Sequence, residues 1–171
     1  EIFIHPTDTI YGLGCHAFDE TCVNKIREIK NRPEDKPFSI IAPSKEWIRE
    51  HCHVDEEGEE WLRRLPGPYT LILRLKEPGL GGPVNSNGES IGIRIPDHWI
   101  SQAVSEIGVP IVTTSANLRG QEFMTSIEDL PYELKSKVNF AIYEGEINGS
   151  PSTIVNLAKV DIEDFGFRKV I

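Results

Sequence analysis

The sequence predicts one α/β domain, or the closely related α+β arrangement, and three observations support this prediction. The chain has 171 residues, a length typical of a single domain. Hydrophobic residues make up 39% of it, which is enough to form a core without disulfide bonds. Strand-like segments alternate with helical patterns, and no repeat or shift in composition divides the chain. We therefore expect one domain that covers residues 1–171.

The charge and the cysteine content indicate which classes of protein fit the sequence. The chain carries 27 acidic and 18 basic side chains, a formal net charge of −9. Because affinity for nucleic acid comes largely from Lys and Arg, this balance argues against a protein that coats nucleic acid. The three cysteines lack paired spacing, which is typical of free thiols in a reducing compartment. No apolar run reaches the roughly 18 to 20 residues that span a bilayer. We expect a cytoplasmic protein with no membrane insertion and no protein-bound metal.

Helix signals are clearest in the first half of the chain. Asp19 can cap a helix that ends before Pro33, because its apolar residues recur at helical spacing. Ser44 and Asp55 are N-cap candidates for two further helices. Residues 1–5 and 38–42 predict strands on either side of the first helix.

Two glycines follow the first predicted strand. Gly12 and Gly14 begin a G-x-G-x-x-A pattern, which also occurs in dinucleotide-binding turns. In those turns the helix begins within the glycine loop, whereas here the first capping signal is Asp19. We therefore predict an ordinary turn for the pattern at residues 12–17.

Alternating apolar residues predict the central strands. Residues 69–75 and 91–95 both alternate, and on the second strand Arg94 lies on the face opposite the isoleucines, with room beside it at Gly92. Between these strands, residues 76–88 are rich in Gly and Pro, which is typical of a binding loop or lid. The remaining predictions are a helix from Pro96–Asp97 to about Ile107, a strand at 109–113, a helix at 126–137 and strands near 140–143, 153–157 and 165–170.

Basic residues cluster after the first predicted helix. Lys30, Arg32 and Lys36 lie within seven residues, and such a cluster can simply be a solvated helix C-terminus. Two prolines restrict the segment, however, and so present the cations in a fixed form, as a phosphate-binding segment requires. Arg94 and Arg168 add cations on strands, where burial without an anion is costly. These residues predict a site for an anionic ligand.

Hydroxyl-rich segments stand at two predicted strand ends. They are Thr113–Asn117 and Pro151–Thr153. Such side chains can cap the following turn. They can equally donate hydrogen bonds to phosphate, ribose or an amino-acid head group. The residues alone leave both interpretations open.

Six sequence blocks occur in a fixed order over essentially the whole chain. They are Pro6–Gly14, Lys30–Pro37, Pro66–Thr70, Gly92–His98, Thr114–Asn117 and Pro151–Val155. Together they resemble the YrdC/TsaC family of threonylcarbamoyl-AMP synthases. The resemblance implies a YrdC/RibB-like three-layer fold around a strongly twisted mixed β-sheet, with a basic concave cavity for ATP and L-threonine.

The resemblance also implies a reaction and its participants. L-Threonine, bicarbonate and ATP would give threonylcarbamoyl-AMP and pyrophosphate, with Mg²⁺ as the expected helper. This is the first step toward threonylcarbamoyladenosine in tRNA, so a tRNA threonylcarbamoyl-transferase complex would be the downstream partner. Whether the chain itself binds tRNA stays open.

Roles of individual residues follow from the same motif match. The resemblance implies that ATP is bound by Lys30, Arg32, Lys36, Ser90, Ser115, Asn117 and Arg168. It implies that threonine is bound by Thr9, Arg94, Thr113 and Ser152. The charge of the reacting groups would be offset chiefly by Lys30, Arg32 and Arg94.

The chain departs from the family pattern in three respects. Many members carry a histidine, associated with threonine binding, in the strand where this chain has Ile40 and Ile41. The residue that replaces this contact is open. The chain also begins within the first strand and ends without the extra C-terminal domain of longer Sua-type members, as the single-domain form would.

Two alternative functions remain. A basic cavity could accept double-stranded RNA or a ribosomal surface, although the net charge of −9 disfavours this. The same fold could instead form a carbamoyl adenylate, as in the related domain of hydrogenase maturation proteins. Those proteins are long chains with zinc fingers, which this sequence lacks.

Overall fold

The computed structural model describes residues 1–77, 82–85, 88–160 and 169–171. Within these residues, eight strands form one sheet in the order β7-β1-β2-β6-β3-β5-β4-β8. The strands are β1 (Phe3–His5), β2 (Gly12–Gly14), β3 (Ser39–Ile41), β4 (Tyr69–Arg74), β5 (Ser90–Arg94), β6 (Ile111–Ser115), β7 (Phe140–Ala141) and β8 (Thr153–Asn156). The described helices are α1 (Glu20–Ile29), α2 (Lys45–His51), α3 (Glu56–Arg63), α4 (Trp99–Ile107) and α5 (Tyr132–Lys135).

Strand pairing makes the sheet mixed. The pairs β1–β7, β3–β5 and β4–β8 are parallel. The pairs β1–β2, β2–β6, β3–β6 and β4–β5 are antiparallel. The predicted α/β fold with a mixed sheet is therefore confirmed.

Three helices begin at the predicted N-cap residues. Asp19 accepts a hydrogen bond from the Cys22 backbone N–H at 2.9 Å, and Ser44 and Asp55 accept equivalent bonds at 3.0 and 2.8 Å. Each bond satisfies an N–H group that has no partner within its own helix, and so defines where the helix starts.

The turn predicted for residues 12–17 is wrong for the two glycines, because Gly12–Gly14 form β2 and the chain turns only at residues 17–18. The imidazole ring of His5 packs against this strand. A Cβ atom at Gly12 would lie 2.7 Å from His5 Nε2, and one at Gly14 would lie 2.8 Å from the Val112 carbonyl oxygen. Glycine is needed here because a ring and a neighbouring backbone approach the strand closely.

The helix predicted at residues 126–137 is also wrong. The segment forms a 3₁₀ turn at Ile127–Asp129 and then the short helix α5. Pro131 separates them, since proline has no N–H to donate within a helix and its ring disturbs the preceding turn.

Two further boundaries differ from the prediction. Helix α4 begins at Trp99 with His98 as its N-cap, and not at Pro96–Asp97. Most of the strand predicted near 165–170 lies outside the described residues, although Val170 forms a parallel bridge with Ile154.

The core lies on both faces of the sheet. Neighbouring residues Ile40 and Ile41 point to opposite faces, and each is buried. Ile40 belongs to the main cluster, whereas Ile41 packs with Ile100 of α4 and with Ile111. Cys15, Cys22 and Cys52 are free thiols, as predicted. No helix of the described segments is long and apolar enough to cross a membrane.

The buried imidazole of His5 makes a prediction about acid stability. Burial lowers its pKa from the ordinary value of 6.5 to about 4. The unfolded chain therefore takes up this proton at a higher pH than the folded chain. The stability that neutral His5 contributes is complete above the unfolded pKa and is lost as the pH falls through the folded pKa, a loss of about 3 kcal/mol.

His5→Leu removes this proton uptake. The free energy of unfolding should then fall less between about pH 7 and about pH 4.5 than it does in the parent, as measured by urea unfolding. His53 is exposed, and His53→Gln serves as the control substitution. Identical slopes for the parent and His5→Leu would contradict the prediction.

Candidate active site

A cavity of about 290 Å³, including its open mouth, lies on one face of the sheet. Its lining is rich in hydroxyl groups: Thr7, Ile10, Tyr11, Gly12, Ser39, Arg94, Thr113, Thr114, Ser115 and Ser152. Strand register explains how these side chains meet. Ser39 lies opposite both Thr113 and Gly92, and Gly12 lies opposite Ser115. Because paired residues share a face, the adjacent strands β6, β3 and β5 present polar side chains together, beside Gly12 of β2.

The loop from Thr7 to Ile10 is held in shape by its own hydroxyl group. Thr7 Oγ1 donates to the Ile10 carbonyl oxygen at 2.6 Å and accepts from the backbone N–H groups of Thr9 and Ile10 at 3.1 and 3.2 Å. These bonds place Thr9 Oγ1 at 2.9 Å from Thr7 Oγ1. The loop therefore enters the cavity wall in a defined conformation.

Arg94 is the buried cation of the cavity. Its Nη2 donates to Asp8 Oδ1 at 2.8 Å and to Thr9 Oγ1 at 3.0 Å. Burial lowers its pKa, while the neighbouring Asp8 carboxylate acts in the opposite direction. An arginine stays charged under such conditions. The cavity wall thus contains a buried guanidinium, that of Arg94, which contacts the hydroxyl group of Thr9.

Lys30 joins the end of α1 to the end of β6. Its Nζ donates to the carbonyl oxygens of Ser115 and Asn117 at 2.7 and 2.8 Å, and to Asn117 Oδ1 at 2.8 Å. Ser115 Oγ donates to the same Asn117 Oδ1 at 2.6 Å. Three residues expected to bind nucleotide therefore form one network, and Ser115 connects it to the cavity.

The segment after α1 carries the other predicted phosphate ligands. Arg32 Nη2 donates to the Pro37 carbonyl oxygen at 2.8 Å, and its Nε donates to the Lys36 carbonyl oxygen at 3.3 Å. Its guanidinium lies over the Phe38 ring, 5.3 Å from the ring centre. The two prolines and these bonds give the basic segment a defined backbone.

Arg27 is a residue that the sequence analysis missed. It is buried on α1, and its guanidinium donates to the carbonyl oxygens of Pro33, Lys36 and Pro83 at 2.8, 2.8 and 3.1 Å. Positions 23, 26, 27 and 30 form one helical stripe, so the helical spacing could have identified Arg27 as inward-facing. Its role is to fold the basic segment back onto α1.

The other predicted residues differ in where they lie. Ser152 is buried in the cavity wall, and its Oγ lies 2.6 Å from Thr70 Oγ1. Ser90 is at the opposite end of β5 from Arg94, about 13 Å away along the strand, and it does not line the cavity. Arg168 lies outside the described residues. Ser39, which lines the cavity, was not predicted, because its position opposite Gly92 results from strand pairing and leaves no local sequence pattern.

Comparison with known proteins identifies the class to which this fold and cavity belong. The family model named for Sua5, YciO and YrdC, and described as telomere recombination, matches residues 1–163. The chain is a member of this family. The resemblance drawn from the six sequence blocks is therefore confirmed.

Relatives with sequence similarity cover most of this chain. A protein of Methanocaldococcus jannaschii is 38% identical over 159 residues, 92% of this chain and 74% of that one. The threonylcarbamoyl-AMP synthase of Bacillus subtilis is 34% identical over 157 residues, 90% of this chain and 44% of that one. The enzyme of the same name from Vibrio vulnificus strain YJ016 is 30% identical over 152 residues, 86% of this chain and 81% of that one.

Solved structures share the fold. Sua5 of Pyrococcus abyssi, crystallised with L-threonine, superimposes with a TM-score of 0.82 at 34% identity. The match covers 93% of this chain and 48% of that one, so this chain spans about half of the Pyrococcus protein. YciO of E. coli gives a TM-score of 0.78 at 27% identity, over 91% of this chain and 77% of that one.

The Lys30 network makes a prediction about stability. Lys30→Met removes an ammonium group that donates to the end of β6 and leaves two half-buried carbonyl oxygens without that donor. The free energy of unfolding should fall by about 2 to 3 kcal/mol, measured by urea unfolding. Lys25 is exposed on the same helix, and Lys25→Met should change the value by less than about 0.5 kcal/mol. Equal effects of the two substitutions would show that Lys30 does not hold β6.

Proposed function

We propose that this protein is a threonylcarbamoyl-AMP synthase, which converts L-threonine, bicarbonate and ATP into threonylcarbamoyl-AMP and pyrophosphate. The observation that carries the proposal is the position of Arg94 in a hydroxyl-lined cavity that continues, through Ser115, into the Lys30 network. Named synthases and a threonine-bound Sua5 within the same family support it. The product would pass to a tRNA threonylcarbamoyl-transferase complex.

The proposed reaction brings two negatively charged reactants together, a carbamate and the triphosphate of ATP. The amine of threonine attacks the carbon of bicarbonate, water leaves, and a carbamate forms. A carbamate oxygen then forms a bond to the α-phosphorus of ATP, and the bond from that phosphorus to pyrophosphate breaks. Both reactants are negatively charged, so fixed cations and hydrogen-bond donors lower the barrier more than a protein nucleophile would.

We propose that the two substrates occupy different sides of the site. Arg94 receives the threonine carboxylate, with nearby hydroxyls from Thr9, Thr113 and Ser152. The nucleotide occupies the side formed by Lys30, Arg32, Lys36, Ser115 and Asn117, and we retain Ser90 and Arg168 as further proposed contacts. Guanidinium geometry suits a carboxylate, because its planar N–H groups match the two oxygens.

We propose that Mg²⁺ binds together with ATP. The described segments hold no group of three or more His, Cys, Asp or Glu side chains that could bind a metal ion. Mg²⁺ commonly binds through substrate phosphates with only one or two protein carboxylates. We therefore assign it to the MgATP substrate and derive no step through a protein metal site.

The proposal is tested by pyrophosphate release from MgATP and bicarbonate. Release that requires L-threonine, and is much weaker with L-serine or without an amino acid, supports the synthase. Release that requires carbamoyl phosphate instead would favour the carbamoyl-adenylate alternative. No release, together with binding of double-stranded RNA that weakens with salt, would favour the RNA-binding alternative.

Two substitutions separate the halves of the site. Arg94→Ala should raise KM for L-threonine and leave KM for ATP nearly unchanged, whereas Arg32→Ala should raise KM for ATP. Each lost charged contact corresponds to about 1.5 to 3 kcal/mol. Steady-state pyrophosphate release measures both constants, and Arg63→Ala, on the exposed face of α3, serves as the control. Parent-like kinetics in both site variants would refute the assignment.

A further inference from the structure

Arg94, the arginine that lines the cavity, forms an ion pair with Asp8. Asp8 is not among the residues proposed above to bind a substrate. Asp8 Oδ1 accepts from Arg94 Nη2 at 2.8 Å, and Thr9 Oγ1 accepts from the same nitrogen at 3.0 Å. The side chains of Arg94 and Asp8 are only 7% and 10% exposed. Both hydrogen atoms of Nη2 are therefore engaged by the loop between β1 and β2.

These two bonds determine how the whole guanidinium faces the cavity. The group is planar, so holding one nitrogen in two hydrogen bonds fixes its plane. Nε is completely buried and has no hydrogen-bond partner among the described residues. Both hydrogen atoms of Nη2 are already in hydrogen bonds, and Nε is buried. Nη1 is therefore the nitrogen that can bind a ligand in the cavity that Arg94 lines.

The second oxygen of Asp8 fixes the carboxylate itself. Asp8 Oδ2 accepts from the backbone N–H of Asp97 at 3.0 Å. Asp97 follows the end of β5 by three residues, so one carboxylate joins the β1–β2 loop to the chain segment that leaves β5. The side chain that orients Arg94 is thus held from two sides.

We propose that Asp8 is the positioning residue of the amino-acid site. It fixes the plane of the Arg94 guanidinium, turns Nη1 toward the substrate carboxylate and neutralises the buried cation while the site is empty. The identity of the substrate rests on the function proposed above, whereas the orientation of Arg94 by Asp8 is a property of the free protein. Loss of Asp8 lets the guanidinium rotate and weakens its contact with the substrate.

Kinetics of Asp8 variants test the effect on the substrate. Asp8→Ala removes both acceptor oxygens, and KM for L-threonine should rise about tenfold or more while KM for ATP changes less than about twofold. Asp8→Asn keeps the size and one acceptor oxygen, so its KM for threonine should lie between those of the parent and Asp8→Ala. Asp8→Asn carries the test if Asp8→Ala does not fold.

An ion pair away from the cavity supplies the matched control. Glu59 accepts from Arg49 at 2.8 Å on the surface of the molecule. Glu59→Ala should leave both KM values unchanged. An equal rise of the threonine and ATP constants in the Asp8 variants would indicate a general structural role and overturn the proposal.

Nuclear magnetic resonance of the ligand-free protein tests the orientation without turnover. Hydrogen bonds to Nη2 should give the Arg94 guanidinium slowly exchanging proton signals, assigned by their absence in Arg94→Lys. These signals should be lost in Asp8→Ala and retained in Glu59→Ala. Their persistence in Asp8→Ala would overturn the positioning role. Signals that follow this pattern in a protein without threonine-dependent pyrophosphate release would refute the proposed function and still support the orientation of Arg94.

Discussion

The geometry of the cavity depends on the burial of Arg94 beside Asp8. Removing a guanidinium from water costs several kcal/mol unless a partner of opposite charge and well-directed hydrogen bonds compensate for it. Both partners of Arg94 come from one short loop, at 2.8 and 3.0 Å. Strand β5, which carries Arg94, and the β1–β2 loop are separated by β3 and β6 in the sheet. The ion pair therefore fixes the distance across the cavity.

Lys30 imposes a second constraint on the same central region. Its three hydrogen bonds attach the end of α1 to the end of β6, the strand between β2 and β3.

The net charge of −9 describes the whole chain and says little about the charges around the cavity. Electrostatic interactions at short range depend on individual groups, because salt screens exposed charges over about 10 Å. The net charge of the chain therefore does not decide whether the cavity, whose wall contains the buried guanidinium of Arg94, suits an anionic substrate.

The sequence predicted features that depend on neighbouring residues better than features that depend on distant ones. The N-caps Asp19, Ser44 and Asp55 were predicted because a cap acts within its own first turn. Strand β2 was not, since Gly14 is explained by the close approach of the Val112 backbone, which is far away in the sequence. The motif match gathered Lys30 with Ser115 and Asn117, whereas the contact of Asp8 with Arg94 joins residues 86 positions apart and leaves no local pattern.

Many family members carry a histidine in the strand where this chain has Ile40 and Ile41. Strand register also determines what its absence means for binding of the proposed substrate. Ile41 lies opposite Arg94 and opposite Ile111, so it shares the cavity face, whereas Ile40 points into the main core. An isoleucine side chain there can pack but cannot form a hydrogen bond with a substrate hydroxyl. Sites that reject an analogue lacking a hydroxyl do so through buried polar groups that the analogue leaves unpaired. In the proposed site, selectivity for threonine therefore depends on polar groups of other segments, and the buried hydroxyls of Thr9, Thr113 and Ser152 are the ones that we propose for this role.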